Sequence, residues 1–315
     1  MPKGAPDLAG YTQPAMVRIL AIVSAGVLGL AFGSFLNVCV TRWPEGESVI
    51  KPRSHCRSCD RPLAWWENLP LLSWLALGGR CRTCKAPIGW RYPLVELAVA
   101  AFWAYTTWQI FAWAPELQSG VLSLDAAVAL TEGIGRMIFF WLLVALAVLD
   151  IEHFWLPDRL TLPGIGLGLV LAVTRGTLAA VMLRHGDFGP WEHDAAMAAG
   201  TWFLGATIPA GVVLVIRFVY NFFRDQEGIG LGDVKLMAML GGWIGITGGL
   251  LALGIGVLAG LVIVLVSRLL MSQSTQAENW WLTKVPLGTF LCLGGVISCL
   301  WRVPIIAAYE RLAGF

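Results

Sequence analysis

The feature that most constrains this chain is a succession of apolar blocks on the scale of a bilayer core. A helical crossing takes about 20 residues. Eight spans can be drawn, at 16–40, 92–114, 127–149, 159–183, 196–220, 233–247, 248–270 and 285–308. Hydrocarbon offers the backbone no partners, so the spans are expected as helices, which pair their own N–H and C=O groups. The sixth and seventh are parted only by the glycine-rich stretch from Gly245 to Gly249. Composition agrees: 57% of the 315 residues are hydrophobic and 13% are charged, about half the charge of a soluble domain. Trp90, Trp155 and Trp281 stand near span ends, where indoles favour the interface. No small-residue cleavage site follows the first span, so it is expected to stay rather than be removed as a signal peptide. The fold class is therefore all-α and polytopic, with about eight transmembrane helices. A net charge of +2 gives no reason to expect nucleic acid.

One sizeable polar insertion, 41–91, interrupts the spans and sets the topology. It carries nine basic residues, among them Arg42, Arg61 and Arg91, against Glu45, Glu47, Asp60 and Glu67. Short basic loops stay on the cytoplasmic side, so 41–91 is expected inside and both termini outside. The turns near 150–158, 221–232 and 271–284 then also lie inside. The loop at 115–125, with no Lys or Arg, lies outside, as does 184–195 with Arg184, Asp187, Glu192 and Asp194. Three parts follow: a first transmembrane helix at 1–40, a cytoplasmic segment at 41–91 and a membrane core at 92–315.

Within the insertion, Cys56-Arg-Ser-Cys59 and Cys81-Arg-Thr-Cys84 are two C-x-x-C pairs separated by 21 residues. Each pair can place two thiolates on one metal, and the intervening chain can fold back to complete a tetrahedral set. A reducing cytoplasm disfavours two disulfides. Structural zinc is the expected ligand, closed by four sulfurs and organising a small domain rather than catalysing. Cys39, Cys292 and Cys299 lie in apolar spans and are expected to pack.

Two aspartates mark span ends. Asp150 closes the apolar run 137–149, and Asp233 opens the sixth span after Gly230-Leu-Gly232 and before Lys235. Ionisable groups at that depth are costly and point to function. A close pair of acids, one protonated and one not, is the chemistry of an aspartic protease. Gly230 and Gly232 would leave the backbone open to an extended substrate. The bland alternatives are that Asp233 caps its helix and that Asp150 is an interfacial charge. Asp158, after Leu156-Pro157, competes for the first place, but its position suits a helix N-terminus.

The ordered set resembles the prepilin peptidase family of G-x-G-D membrane aspartyl proteases. It comprises Gly33-Ser-Phe-Leu-Asn-Val38 followed by Arg42 and Pro44, then the paired C-x-x-C motifs and Arg91-Tyr-Pro-Leu-Val-Glu96. It continues with Asp150 and Leu156-Pro-Asp158, and ends on Glu227-Gly-Ile-Gly-Leu-Gly-Asp-Val-Lys235. The resemblance implies Asp150 and Asp233 as the catalytic acids, with Gly230, Gly232 and Lys235 in the active-site loop. It implies cleavage of leader peptides from type IV prepilins or type II secretion pseudopilins in the bacterial inner membrane. It further implies N-methylation of the new N-terminus, usually Phe, from S-adenosylmethionine. Gly33, Ser34, Asn37, Arg42, Tyr92 and Glu96 are candidates for methyl transfer or substrate binding. For Gly33 and Ser34 close helix packing is an equal alternative, and Glu96 needs a partner such as Arg91 or Arg42. Two departures stand out: Arg57 where the family often has Pro, and Val285-Pro-Leu-Gly-Thr-Phe290 in place of Pro-Phe-Gly-Pro. Neither is expected to touch a proposed acid or ligand. The stretch between the fourth and fifth spans is longer than the family needs.

Two readings from other classes compete. A zinc-stabilised scaffold would explain spans and cysteines but leave the aspartates as coincidence. A proton-coupled transporter would use intramembrane acids, but those usually lie near the midplane.

Overall fold

A computed structural model describes residues 8–184, 189–224, 229–271 and 285–313. Asp187, Glu227, Gly228 and Trp281, all used above, lie outside these residues. The helices are α1 (Leu8–Arg42), α2 (Leu72–Ala76), α3 (Arg91–Trp113), α4 (Leu124–His153), α5 (Asp158–Leu183), α6 (Trp191–Arg224), α7 (Leu231–Met271) and α8 (Leu287–Ala313). Among the described residues there is no strand beyond two isolated bridges. Among the described residues, all but α2 are long and apolar enough to cross a membrane, which makes seven such runs.

The sixth and seventh spans are two helices that meet within the run α7, and the chain turns back between them: a Cβ on Gly249 would lie 3.0 Å from Gly241 Cα, eight residues earlier. The break is at Gly245, whose φ of 76° and ψ of 176° lie outside helical space. A side chain there would be strained, and glycine alone enters this region freely. Helix α8 satisfies carbonyls around the break: Arg302 Nη1 donates to Ile244 O at 2.6 Å and Ser298 Oγ to Gly248 O at 2.8 Å. In hydrocarbon such groups have no water to turn to.

The chain divides into two compact units, Met1–Val144 and Ala145–Phe315, with the division inside α4. In the first, α1 packs along α3. The approach is close: a Cβ on Gly33 would sit 2.6 Å from Glu96 Cα. Small residues bring membrane helices into such contact. The first part of α4 joins them, since Trp141 Nε1 donates to Phe32 O and Trp103 Nε1 to Met137 O. In the second unit α7 packs against α6 and α8, and α5 against α6 and α7. Trp243 Nε1 ties α7 to Gly164 O of α5 at 2.7 Å. The described part of 184–195 is mostly the start of α6, where Arg184 pairs with Asp194.

Candidate active site

Helix α4 ends because Phe154 takes a left-handed φ of 50°, its N–H bonding Asp150 O at 2.9 Å. Pro157 follows, and α5 begins at Asp158. Asp150 is thereby left in the last turn of α4, while Asp233 lies in the first turn of α7. Their exposures are 5% and 9%. Between α4 and α5, Leu156 reaches the starts of two other helices. A Cβ on Gly232 would lie 3.1 Å from Leu156 Cβ, and one on Gly288 2.9 Å from Leu156 Cδ1 and 3.0 Å from the Asp150 carboxyl carbon. The ends of α4, α7 and α8 thus converge, and Asp150 is within electrostatic reach of Asp233.

Each acid is held by backbone N–H groups at the start of a helix. Asp150 Oδ2 accepts from the Thr289 backbone N–H at 2.7 Å and lies 3.1 Å from Thr289 Oγ1, which also reaches Ala147 O at 3.0 Å. These groups sit in the first turn of α8, where backbone N–H groups lack helical partners and favour an anion. Asp233 Oδ2 accepts from Gly230 N–H at 3.1 Å, reaching back to the residue before its helix as one half of a capping box. Asp233 therefore does cap α7.

Several neighbours differ from expectation. Asp158 makes no side-chain cap on α5; it pairs with Lys235 Nζ at 2.6 Å and ties the starts of α5 and α7 together. The room left at Gly232 is taken by Leu156. The 285–290 segment was expected to touch no acid, yet Thr289 donates to Asp150. Arg217 of α6 lies near Asp233 and donates to Ile229 O in the loop ahead of α7.

The four cysteines come together in the first unit. Cys56 N–H bonds Arg61 O and Asp60 N–H bonds Cys56 O; Cys81 N–H bonds Ala86 O and Lys85 N–H bonds Cys81 O. The two knuckles repeat one geometry, down to the positive φ at Asp60 and Lys85. All four are free thiols whose sulfurs lie within 4.8 Å of one another, and Cys56 and Cys84 are 3.7 Å apart. This set can hold a metal ion. Backbone N–H groups of Cys84 and Thr83 draw the Cys81 thiol down to about 6. Although the Ala86 N–H favours a Cys84 thiolate, burial and the neighbouring sulfurs push Cys84 up to about 11. The crowded sulfurs resist joint ionisation until a cation joins them. Beside them, Arg61 grips Glu67 with both nitrogens at 2.7 and 2.9 Å, holding its carboxyl down at about 2.

Between the knuckles and the α1–α3 pair lies a cavity of about 820 Å³. Ser34, Asn37, Arg42, Tyr92 and Glu96 all line it. Gly33 is a packing residue, set against the Glu96 backbone. Ser34 hydrogen-bonds Glu96, whose Oε2 also accepts from Leu71 N–H at 2.7 Å. Neither Arg91 nor Arg42 is the partner expected for Glu96. Arg91 bonds Thr41 Oγ1 and covers the Tyr92 ring, and Arg42 donates to the carbonyls of Ser48 and Pro52. Arg42 straps the turn after α1.

Residues 27–110 match the bacterial peptidase A24 N-terminal domain, and 137–265 match the type IV leader peptidase family. A prepilin leader peptidase/N-methyltransferase of Stutzerimonas stutzeri is 32% identical over 93% of this chain and 94% of its own. The chain belongs to the type IV leader peptidase family. A relative of the same name from Pseudomonas aeruginosa is 33% identical, covering 92% of this chain and 93% of its own; one from Myxococcus xanthus is 36% identical, covering 76% and 59%. No solved structure matches. This leader peptidase is an enzyme and a multi-pass inner-membrane protein.

The sequence reading did not single out Thr289 or Arg217. Arg217 had a signal, since an arginine inside an apolar span asks for a reason. Thr289 had none, because its shorter bond comes from the backbone.

Proposed function

We propose that this leader peptidase removes the leader of type IV prepilins or type II secretion pseudopilins at the cytoplasmic membrane face, and then N-methylates the new N-terminal residue. Asp150 and Asp233 are the catalytic pair. The observation supporting this is two buried carboxylates at converging helix ends, each held by backbone N–H groups at the start of a helix. One acid holds the shared proton and the other takes a proton from water, whose oxygen adds to the scissile carbonyl carbon. The protonated acid donates to the carbonyl oxygen; as the C–N bond breaks, the acid that took the water's proton passes it to the leaving nitrogen and the hydroxyl proton returns to its partner, restoring the pair. Gly230, Gly232 and Lys235 serve by position: the first orients Asp233, the second admits Leu156, and the third anchors α7 to Asp158. Acids at helix ends rather than mid-span weigh against a proton relay. The cytoplasmic orientation rests on the basic 41–91 segment.

In this reading 1–40 is the first transmembrane helix, 41–91 the zinc segment and 92–315 the protease core. Zinc fits the sulfur cluster: tetrahedral Zn–S bonds of about 2.3 Å place sulfurs about 3.8 Å apart, against 3.7 Å between Cys56 and Cys84. S-adenosylmethionine fits the cavity, whose volume is within the usual range for such ligands. Ser34, Asn37, Tyr92 and Glu96 would hold the reactants there. When bound, the cofactor supplies a methyl group activated on sulfur.

The test is mass spectrometry of pilin N-termini in cells with and without this protein. Leader-free, N-methylated chains only in its presence support both halves. Identical N-termini in both strains would reject the proposal.

A further inference from the structure

Two of the contacts that join α1 to α3 at the cavity form a ladder. Asn37 Nδ2 donates to Tyr92 O at 3.0 Å, and Ser34 bonds the Glu96 carboxylate. Ser34 and Asn37 are three apart on α1, and Tyr92 and Glu96 four apart on α3, so the rungs are one helical turn apart. Side chains so spaced lie about 5–6 Å from each other.

Both rungs are left short of donors. With its nitrogen committed to Tyr92, the Asn37 amide has Oδ1 buried and without a partner, in a residue 2% exposed. Glu96 is 6% exposed, and the two donors to its carboxylate, the Leu71 N–H and the Ser34 hydroxyl, are both neutral. A buried carboxylate is ordinarily matched by a cation. An orphaned acceptor and a carboxylate without a counter-charge, one turn apart on the wall of a cavity, ask for a cationic donor that can reach both.

We propose that Asn37 and Glu96 form a receptor for an aliphatic α-ammonium group. This rests on the methylation reading, and two reactants carry such a group: the new N-terminus of the mature substrate and the methionyl end of the methyl donor. An ammonium has three N–H donors, enough to serve Asn37 Oδ1 and Glu96 together. Holding the substrate ammonium there would fix its nitrogen and place Glu96 to take the proton that nitrogen must lose before it can accept a methyl group.

The test is calorimetry on the detergent-solubilised full-length protein with two probes. One is a pentapeptide beginning with Phe, with its amine free or acetylated; the other is S-adenosylhomocysteine. Losing a hydrogen bond to a charged group is expected to cost tenfold or more in affinity, roughly 1.5 kcal/mol. If the ammonium is the substrate's, wild type binds the free peptide at least about tenfold more tightly than the acetylated one, and Asn37→Leu or Glu96→Gln erases that preference. If it is the methyl donor's, the same variants instead lose S-adenosylhomocysteine. Variants that keep their metal yet match wild type with both probes overturn the proposal. A wild type that transfers no methyl but shows these binding losses keeps the ammonium site and rejects the methylation reading instead.

Discussion

Gly288 offers a direct way to move Asp150, one of the two acids proposed to be catalytic, without changing it. A Cβ at this position would lie 3.0 Å from the Asp150 carboxyl carbon and Oδ2, and 2.9 Å from Leu156 Cδ1. Ordinary contacts of this kind fall at 3.4–4 Å, so Gly288→Ala must displace the carboxyl group by about 0.4 to 1 Å or push α8 away. Overpacking of this kind costs about 1–3 kcal/mol, and a misplacement of about 1 Å costs about a hundredfold in rate. Cleavage by Gly288→Ala is therefore expected to fall about tenfold to a hundredfold. Gly166→Ala is the control: its Cβ meets nothing within 4 Å, and alanine favours a helix over glycine by about 1 kcal/mol. Initial rates on a purified prepilin in detergent, with thermal unfolding of each variant, provide the comparison. A Gly288→Ala protein that is stable and cleaves at the wild-type rate would refute the placement of Asp150 at the reaction centre.

Thr289→Val keeps the backbone N–H on Asp150 but removes the hydroxyl, so its cleavage rate should fall only about two- to fivefold, roughly 0.5–1 kcal/mol. Wild-type protein should carry about one zinc per chain by elemental analysis, as a four-thiolate site would, and Cys81→Ser with Cys84→Ser should carry none. The Glu67 carboxyl is held at about 2 in the folded protein, below its ordinary value of about 4.3. Its contribution to stability is thus fully present above the ordinary value and lost only as pH falls through about 2. Glu67→Gln should therefore lower the unfolding temperature at pH 7 and at pH 5 alike, with the difference closing only near pH 2. Asp158→Asn should be milder than either catalytic change, because it breaks an exposed pair with Lys235, a kind worth about 0–1 kcal/mol.

Much of this was legible in the sequence because the chemistry sits in short runs. The C-x-x-C pairs and the span-end aspartates advertise themselves by residue type and spacing, and apolar length placed the helices. What escaped depends on contacts distant along the chain. Thr289 meets Asp150 across 139 residues, and any residue but proline could have offered the N–H. Asp158 looked like a cap from its neighbours, but the Lys235 ammonium was the stronger partner. Glu96 was expected to find an arginine, yet Arg42 and Arg91 were claimed by the turn after α1 and by Thr41. The glycine-rich stretch that parts the sixth and seventh spans marks where their two helices meet, at Gly245, and α8 donates to carbonyls on either side of it.

The central claim is that Asp150 and Asp233 cleave as a pair. Its most direct test is mass spectrometry of a purified prepilin incubated with wild type, Asp150→Asn and Asp233→Asn, each confirmed inserted and metal-loaded. The account predicts a mature N-terminus with wild type and intact prepilin with either variant, since neither acid alone can both hold and accept the proton. Substantial cleavage by either variant would contradict it.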